Sequence, residues 1–250
     1  FLRKILARKP ATILIQKRWQ TLKKRKTMKK TNLIFGFIIL FITSVNSYSQ
    51  EYKLEEKTIS GIFKTEGKTK SEIFSSINKW IALNYNSAQN VVQLNDKESG
   101  NIIVKGINEA VYKNVMKELY PKNKYMQEYS TVKFNHTLEI NVKDSKFRII
   151  YTLTDIITPK PVAGYNLESQ YNMVFEMIDF TGMKQVKIDN YNNYIEKLWK
   201  KAMIGKKKRA KFMEMTKPTF EEMNKGVIES IKSTMISVEK SVNSTKKDDW

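Results

Sequence analysis

The chain has 250 residues, no cysteine, one histidine and a formal net charge of +20. Twelve basic and no acidic residues lie in residues 1–49, so the remainder carries 33 basic and 25 acidic residues and a net charge of +8. The lack of cysteine excludes thiol catalysis, disulfides and thiolate metal sites. A dispersed charge of +8 also gives little support to nucleic-acid binding.

The first distinctive segment is a signal peptide, predicted over residues 28–49. A positive start at Met28–Lys30 precedes an apolar run, Leu33–Ile42, and Ser47 and Ser49 supply small residues before a predicted cleavage site. The apolar run is shorter than the about 20 residues that a spanning helix needs. We therefore expect no permanent membrane span after cleavage, and a periplasmic, outer-envelope or secreted protein.

Residues 1–27 precede this leader and are expected to be upstream read-through sequence, because a signal peptide normally begins at its initiator methionine. Two alternatives stay open. The segment could lie on an anionic membrane as a basic amphipathic helix, although Pro10 would interrupt it. It could also belong to an organellar transit peptide, which the uninterrupted apolar run that follows argues against.

A strand and a helix are predicted at the start of the mature part. The strand is Thr58–Phe63, which is bounded by polar residues. Thr69 and Glu72 then form a capping box, and apolar residues recur at helical spacing from Ile73 to about Asn84. This helix has one apolar face, which a sheet would have to cover.

Two further strands and a helical insertion follow. The strands are predicted at Val91–Leu94 and Ile102–Val104, and Gly100 in the turn between them can adopt a positive φ. The insertion is predicted within Ala110–Glu128, because apolar residues recur every four positions from Val111.

The clearest β signal is a hairpin. Apolar and polar residues alternate from Val132 to Val142 and again over Phe147–Leu153, which is typical of two strands with one buried face. The polar segment Lys143–Lys146 is the predicted turn.

The C-terminal part is predicted to contain a loop and two helices. The loop covers residues 158–172, and apolar residues at helical spacing predict a helix over Tyr191–Ala202. A basic connector, Gly205–Lys211, is expected before a last helix that begins at Pro218 and uses a second capping box, Thr219–Glu222. The apolar stripe of this last helix is Phe220, Met223, Val227, Ile231, Met235 and Val238.

Taken in order, these elements predict an α+β fold in which helices pack on one face of an antiparallel sheet. The predicted segments are an upstream stretch (1–27), a signal peptide (28–49), an α+β domain (50–158), a loop with C-terminal helices (159–242) and a flexible tail (243–250).

Several turn and packing features lie between Gly61 and Asp155. They are Glu66-Gly67, Lys70-Ser71, Lys79-Trp80, Asn84-Tyr85, Asp96 through Gly100, Ile102-Ile103, Gly106 and Thr154-Asp155. With these features the stretch resembles an uncharacterised family of exported bacterial proteins, a domain of unknown function with a TBP-like (TATA-binding-protein-like) fold. The resemblance implies a curved antiparallel sheet with packed helices and a signal peptide, and it implies no catalytic residue.

No catalytic, cofactor or metal site is predicted from the residue pattern. His136 shares a strand face with apolar residues, and no nucleophile motif accompanies it. Asp96 and Glu98 could ligate calcium, but a solvated turn in which Asp96 bonds local amides is the simpler interpretation. Asp155 ends a strand, which favours a capping or turn role over one half of a carboxylate pair.

Two features could bind a ligand. The candidate anion-binding residues are Lys206, Lys207, Lys208, Arg209 and Lys211. They could hold the acidic groups of a lipid or polysaccharide, or form a solvated connector between helices. Tyr165 and Tyr171, beside a proline-containing loop, could form a stacking surface for sugar or peptide, or could fold back on the core.

The function predicted from these features is a noncatalytic binding or interaction module of a bacterial envelope. Its expected partner is an envelope protein, an anionic lipid or a polysaccharide. The alternative is an envelope hydrolase with an unassigned site. A hydrolase predicts a deep pocket with convergent polar groups and shifted pKa values, whereas a binding module predicts an exposed aromatic patch or an uncovered sheet face.

Overall fold

The structure, a computed structural model, describes residues 51–160 and 167–244. In this part of the chain, six antiparallel strands form one sheet in the order β1-β2-β6-β5-β4-β3. The strands are β1 (Tyr52–Leu54), β2 (Thr58–Lys64), β3 (Val92–Asp96), β4 (Asn101–Lys113), β5 (Tyr129–Lys143) and β6 (Lys146–Ile156). The predicted signal peptide, residues 28–49, and residues 1–27 lie outside the described residues.

Six helices accompany the sheet in the described part. They are α1 (Lys70–Asn84), α2 (Ala88–Val91), α3 (Val115–Leu119), α4 (Glu168–Glu176), α5 (Gln185–Lys201) and α6 (Lys206–Ser244). Helix α1 packs on β5 and β6, and α6 packs on β2 and β4. Trp80 Nε1 of α1 donates a hydrogen bond to Ser237 Oγ of α6 at 3.0 Å, so the two helices are joined over the sheet. The predicted α+β class is confirmed.

Strand alternation separates a buried face of the sheet from a solvent-facing one. Along β5, every second side chain within Val132–Val142 is buried, and the side chains between them are half-buried or exposed. In β6 the consecutive residues Thr154–Asp155 are both exposed, beside a register shift against β5. This bulge returns Ile156 to the buried face, where Leu153 also lies.

The first predicted elements are confirmed. The strand Thr58–Phe63 lies within β2, and the helix predicted to end near Asn84 ends there. The capping box is present, since Glu72 N donates to the Thr69 hydroxyl at 3.3 Å and Thr69 N donates to Glu72 Oε2 at 2.8 Å. Gly100 has a φ of +79°, as the turn before β4 requires.

The helical insertion predicted within Ala110–Glu128 is wrong in its first part. Strand β4 continues to Lys113, paired with the beginning of β5, and only Val115–Leu119 is helical. The backbone amides and carbonyls of the segment before Asn114 form hydrogen bonds with β5. This pairing decides for a strand, although the spacing of the apolar residues fits a helix.

The predicted break before the last helix is also wrong. Helix α6 begins at Lys206 and contains Pro218, so Gly205–Lys211 is not an irregular connector and Thr219 caps no helix. Proline lacks the amide that would bond the carbonyl of Glu214, but Pro218 and Glu214 are both exposed, so water can reach that carbonyl. Phe212, six residues before the proline, is also buried, so the predicted apolar stripe continues on both sides of Pro218.

Two smaller boundaries differ as well. The loop predicted over residues 158–172 gives way to helix α4 at Glu168, while residues 161–166 lie outside the described part. The tail predicted from Asn243 begins inside α6, which ends at Ser244. The described helices contain no segment long and apolar enough to cross a bilayer.

Candidate functional site

The predicted anion-binding run lies at the start of α6, and part of it is engaged within the chain. Arg209 Nε donates to Glu196 Oε2 of α5 at 3.1 Å. Lys208 Nζ lies 3.8 Å from the ring centroid of Tyr120, a cation–π geometry. Lys211 Nζ donates to a backbone carbonyl at 3.4 Å, whereas Lys206 and Lys207 are exposed. An anion-binding role for this run stays a prediction.

His136 lies in the core between the sheet and the helices. Its ring stacks on Tyr151 with centroids 4.4 Å apart, and its Nε2 lies 3.4 Å from the hydroxyl of Tyr85. Burial lowers the pKa of His136 to about 4, because a charged imidazole would lose its hydration there. Its Nδ1 has no hydrogen-bond partner within the described residues. The imidazole is therefore neutral at physiological pH and packs as an aromatic core side chain.

The acidic residues singled out in the sequence form local turns. Asp96 Oδ1 accepts hydrogen bonds from the amides of Glu98 and Ser99, at 2.9 and 3.1 Å. Bonds from the Ser99 side chain and amide hold the pKa of Asp96 below its ordinary value. Asp155 Oδ1 accepts from the amide of the next residue, Ile156, at 2.7 Å. Among the described residues, no group of three His, Asp or Glu side chains could hold a metal ion.

A cleft of about 710 Å³ lies where the C-terminal helices α4, α5 and α6 meet the β4–β5 hairpin, at the end where β4 stops and β5 begins. Its aromatic lining residues are Tyr112, Tyr125, Tyr129, Tyr171, Tyr191, Trp199, Phe212 and Phe220. The other lining residues are Asn114, Val115, Met116, Met126, Gln127, Ser130, Thr131, Gln170, Val174, Ile195, Thr216 and Thr219. We call this surface the aromatic cleft. Its volume is within the range of small-ligand sites.

The floor of the aromatic cleft is a set of rings that hold one another in place. Tyr191 meets Phe220 edge to face with centroids 5.0 Å apart, and Trp199 lies against Phe212 at 4.5 Å. Tyr191, Phe212 and Phe220 are buried, while Trp199 is half-buried and so keeps part of its ring accessible. Such ring pairs stabilise one another beyond the area they bury, which favours a preformed site.

The lining of the aromatic cleft carries no charged side chain among the described residues. Burial raises the pKa of Tyr112, and the neighbouring Tyr171 raises it further. Burial raises the pKa of Tyr171 and of Tyr191 as well. These phenols therefore stay protonated and neutral at physiological pH. The cleft offers ring faces, hydroxyls and amides, but no carboxylate, imidazole or amine for acid–base catalysis.

A second cavity, of about 400 Å³, does contain charged groups beside α6. The buried carboxylate of Asp179 lies in it, 3.2 Å from Lys184 Nζ and 3.3 Å from Lys187 Nζ. Burial alone would raise the pKa of Asp179, but hydrogen bonds from Thr181 and Lys184 and the positive charge of Lys187 lower it below its ordinary value. This carboxylate is ionised and paired, which suits a structural role and not that of a proton donor.

The solvent-facing side of the sheet is a polar surface whose groups bond one another. Asn141 Nδ2 donates to Asn101 Oδ1 and to Glu139 Oε1, and Arg148 donates to Asn141 Oδ1 at 2.7 and 3.0 Å. Lys133 pairs with the carboxylate of Glu109 further along the same face, at 3.3 Å. Hydrogen-bonding groups that are already paired have less to gain from a partner, so this face is a weaker candidate than the aromatic cleft.

Tyr171 is the one cleft residue that the sequence singled out. It lines the wall as a half-buried side chain of α4, and its role in stacking stays a prediction, while Tyr165 lies outside the described residues. The other cleft rings come from separated segments of the chain, so no local pattern could have grouped them.

Comparison with known proteins places residues 60–157 in a family described as a domain of unknown function (DUF4468) with TBP-like fold. No curated protein matches the chain. A solved TBP-like protein from Parabacteroides distasonis is similar at 14% identity, over 76% of this chain and 94% of that one, with a TM-score of 0.42. A solved DUF4468 family protein from Bacteroides ovatus is similar at 12% identity, over 80% and 94% of the two chains, with a TM-score of 0.43.

The resemblance drawn from the sequence over Gly61–Asp155 is thus confirmed, since the matched range 60–157 covers the same strands and helix. Helices α4, α5 and α6 lie beyond that range, so the aromatic cleft forms where the matched domain meets them. Residues 60–157 of the chain therefore match the DUF4468 family, which is described as having a TBP-like fold.

Proposed function

We propose that this chain is an exported, noncatalytic binding protein of the bacterial envelope, and that the aromatic cleft is its ligand site. The observation that carries the proposal is the composition of the cleft: its lining, within residues 51–160 and 167–244, has eight aromatic side chains and no charged one. Apolar and aromatic walls with a few polar groups are the usual lining of a small-ligand site. The ligand is expected to be uncharged, because no ionic partner is available to replace the hydration of a buried charge.

The proposal of a noncatalytic role rests on the same lining. Hydrolysis needs a general acid or base, an activated nucleophile or a metal, and the cleft offers neutral phenols, amides and hydroxyls instead. The charged cavity around Asp179 favours a structural role, because its carboxylate is held by two lysines. An envelope hydrolase therefore has no observation in its favour within the described residues.

The export part of the proposal rests on the sequence alone, through the leader at residues 28–49. It predicts that protein recovered from the envelope or the medium begins at Gln50 when its amino terminus is sequenced. Cytosolic protein that still carries residues 28–49 as its main form would contradict export.

Binding can be tested by retention of a ligand from the cell's own envelope. The protein is incubated with a soluble envelope extract, separated by gel filtration and analysed by mass spectrometry of the released small molecules. Gln170→Trp places a bulky ring at the exposed rim of the cleft, and Gln185→Trp, at an exposed position early in α5 away from the lining, is its matched control. We expect the wild type and Gln185→Trp to retain the same molecule, and Gln170→Trp to retain at least about tenfold less.

Two results would count against the proposal. Equal retention by all three proteins would remove the cleft as the binding site. Steady conversion of the retained molecule into a product by the wild type, absent with Gln170→Trp, would make the chain an enzyme.

A further inference from the structure

We infer that the ligand of the aromatic cleft is a neutral oligosaccharide. This inference rests on the proposed function, because it names the class of molecule that the same cleft would bind. Three kinds of small uncharged ligand could enter such a site: an apolar chain, a peptide segment, or a sugar.

The aromatic cleft contains both ring faces and groups that can hydrogen-bond hydroxyls. A pyranose ring has an apolar face of C–H groups and a rim of hydroxyls. Tyr171 and Trp199 are half-buried aromatic residues of the lining, and their rings can pack against such a face while a tyrosine hydroxyl keeps its hydrogen bond. An apolar chain would pack against the rings but would form no hydrogen bond with the polar groups of the lining.

The rim of the aromatic cleft has polar side chains that are accessible to a ligand. Gln127, Thr131 and Gln170 are exposed lining residues. An amide side chain has two donors and an acceptor, and a hydroxyl offers both roles, so this rim suits a ligand that is itself both donor and acceptor at every position. Sugar hydroxyls meet that requirement without any charge.

The described lining of the cleft has no charged side chain, and the pKa values of its buried and half-buried phenols are raised. Acidic sugars and phosphorylated ligands would need lysine or arginine in the lining, and the residues of the lining that the structure describes include neither. Because Tyr112 and Tyr171 have raised pKa values, they stay neutral donors across the physiological range. Binding should therefore change little between pH 6 and pH 8.

The test compares ligand classes on the same protein. Wild-type protein is applied to an array of neutral and acidic bacterial and plant glycans, and is titrated separately with N-phenyl-1-naphthylamine, a neutral apolar fluorophore. Neutral glycans that bind on the array are then titrated in solution, with the fluorescence of Trp199 as the readout and Trp199→Phe to identify its share of the signal. We expect neutral glycans to bind and to change the Trp199 emission.

Variants assign the binding to the cleft. Tyr171→Ala removes a ring from the wall and is expected to weaken neutral-glycan binding about tenfold or more, whereas Tyr171→Phe keeps the ring and should lose much less. Tyr194→Ala, at a half-buried tyrosine of α5 that does not line the cleft, is the matched control and should bind as the wild type does.

The outcomes separate this inference from the proposed function. Binding of the fluorophore that is lost in Gln170→Trp, with no neutral glycan bound, would overturn the sugar inference and keep the cleft as a binding site. A preference for acidic glycans would overturn it as well. If no neutral glycan binds but Gln170→Trp still abolishes retention of another molecule from the envelope extract, only the sugar inference is wrong. If neither a glycan nor the fluorophore binds and nothing is retained from the extract, both the inference and the proposed function are wrong.

Discussion

Gly106 on β4 lies directly opposite His136 on β5, and the missing side chain of the glycine makes room for the imidazole. A Cβ atom at residue 106 would lie 2.7 Å from His136 Cε1 and 2.9 Å from its Nε2. It would also lie 2.9 Å from Cε1 of Tyr85, which bounds the same space. The glycine is therefore required here for close packing.

Gly106→Ala is expected to destabilise the protein by about 1–3 kcal/mol, because the added methyl overpacks a rigid aromatic site. Gly205→Ala is the matched control, since a Cβ at that position meets no atom within 4 Å. Urea unfolding of both variants measures the difference. Equal midpoints for the two variants would show that the imidazole moves aside without cost.

The stability of the protein is expected to fall between pH 7 and pH 5 through His136. The folded state holds its pKa at about 4, while the unfolded chain has an ordinary value near 6.5, so the unfolded state binds more protons in this range. Stability therefore rises with pH, and lowering the pH from 7 to 5 should cost about 2 kcal/mol.

The sequence makes this pH effect easy to assign, because His136 is the sole histidine of the chain. His136→Leu removes the titrating group and should flatten the free energy of unfolding between pH 5 and pH 7, whatever its effect on stability at pH 7. An unchanged pH slope in His136→Leu would place the titration on another group.

Asp179→Asn is expected to lower the free energy of unfolding by about 3 kcal/mol, since it leaves buried positive charge without its carboxylate. The Asp179 side chain is fully buried and that of Lys187 is 14% exposed. The matched control is Glu229→Gln, which breaks an exposed pair with Lys225 at 4.0 Å and should cost no more than about 0.5 kcal/mol. Lys187 also pairs with the carboxylate of Glu56, at 2.5 Å. Similar losses in the two variants, measured by urea unfolding, would mean that this second carboxylate alone suffices for Lys187.

Pro218→Ala is expected to raise the free energy of unfolding by about 1–3 kcal/mol, because alanine restores the amide that helix α6 lacks at this position. Lys217→Ala, at the exposed neighbouring residue, should change it by less than about 0.5 kcal/mol. Thermal unfolding of both variants provides the comparison. A lower melting temperature for Pro218→Ala would show that the proline shapes the helix for packing and does not merely interrupt it.

The strands could be predicted from the sequence where one face of the strand is buried and the other faces solvent. The alternation in Val132–Val142 reflects that contrast directly, and the capping box at Thr69 reflects local backbone chemistry. Prediction failed near Val111, where the spacing of apolar residues fits a helix and only the pairing with β5 decides for a strand. It failed again at Pro218, where packing of the flanking residues outweighs the local preference.

Among the described residues that line the aromatic cleft, Tyr171 is the one that the sequence indicates as a candidate for ligand binding. The remaining rings of the cleft are brought together by the packing of α4, α5 and α6 at the end of the β4–β5 hairpin, and that packing depends on contacts between distant segments. The basic run was predictable as an anion-binding candidate because its residues are adjacent in sequence. In the structure, Arg209 pairs with Glu196, and Lys208 lies over the ring of Tyr120. A site formed by residues that are close in space but distant in sequence produces no local sequence pattern from which it could be predicted.

The most direct measurement for the account is a crystal structure of the protein after incubation with the molecule it retains from envelope extract. We expect electron density for an uncharged ligand between Tyr171 and Trp199, in the aromatic cleft. Density for the ligand on the polar face of the sheet, or beside the basic residues at the start of α6 from Lys206, with the cleft empty, would contradict the account.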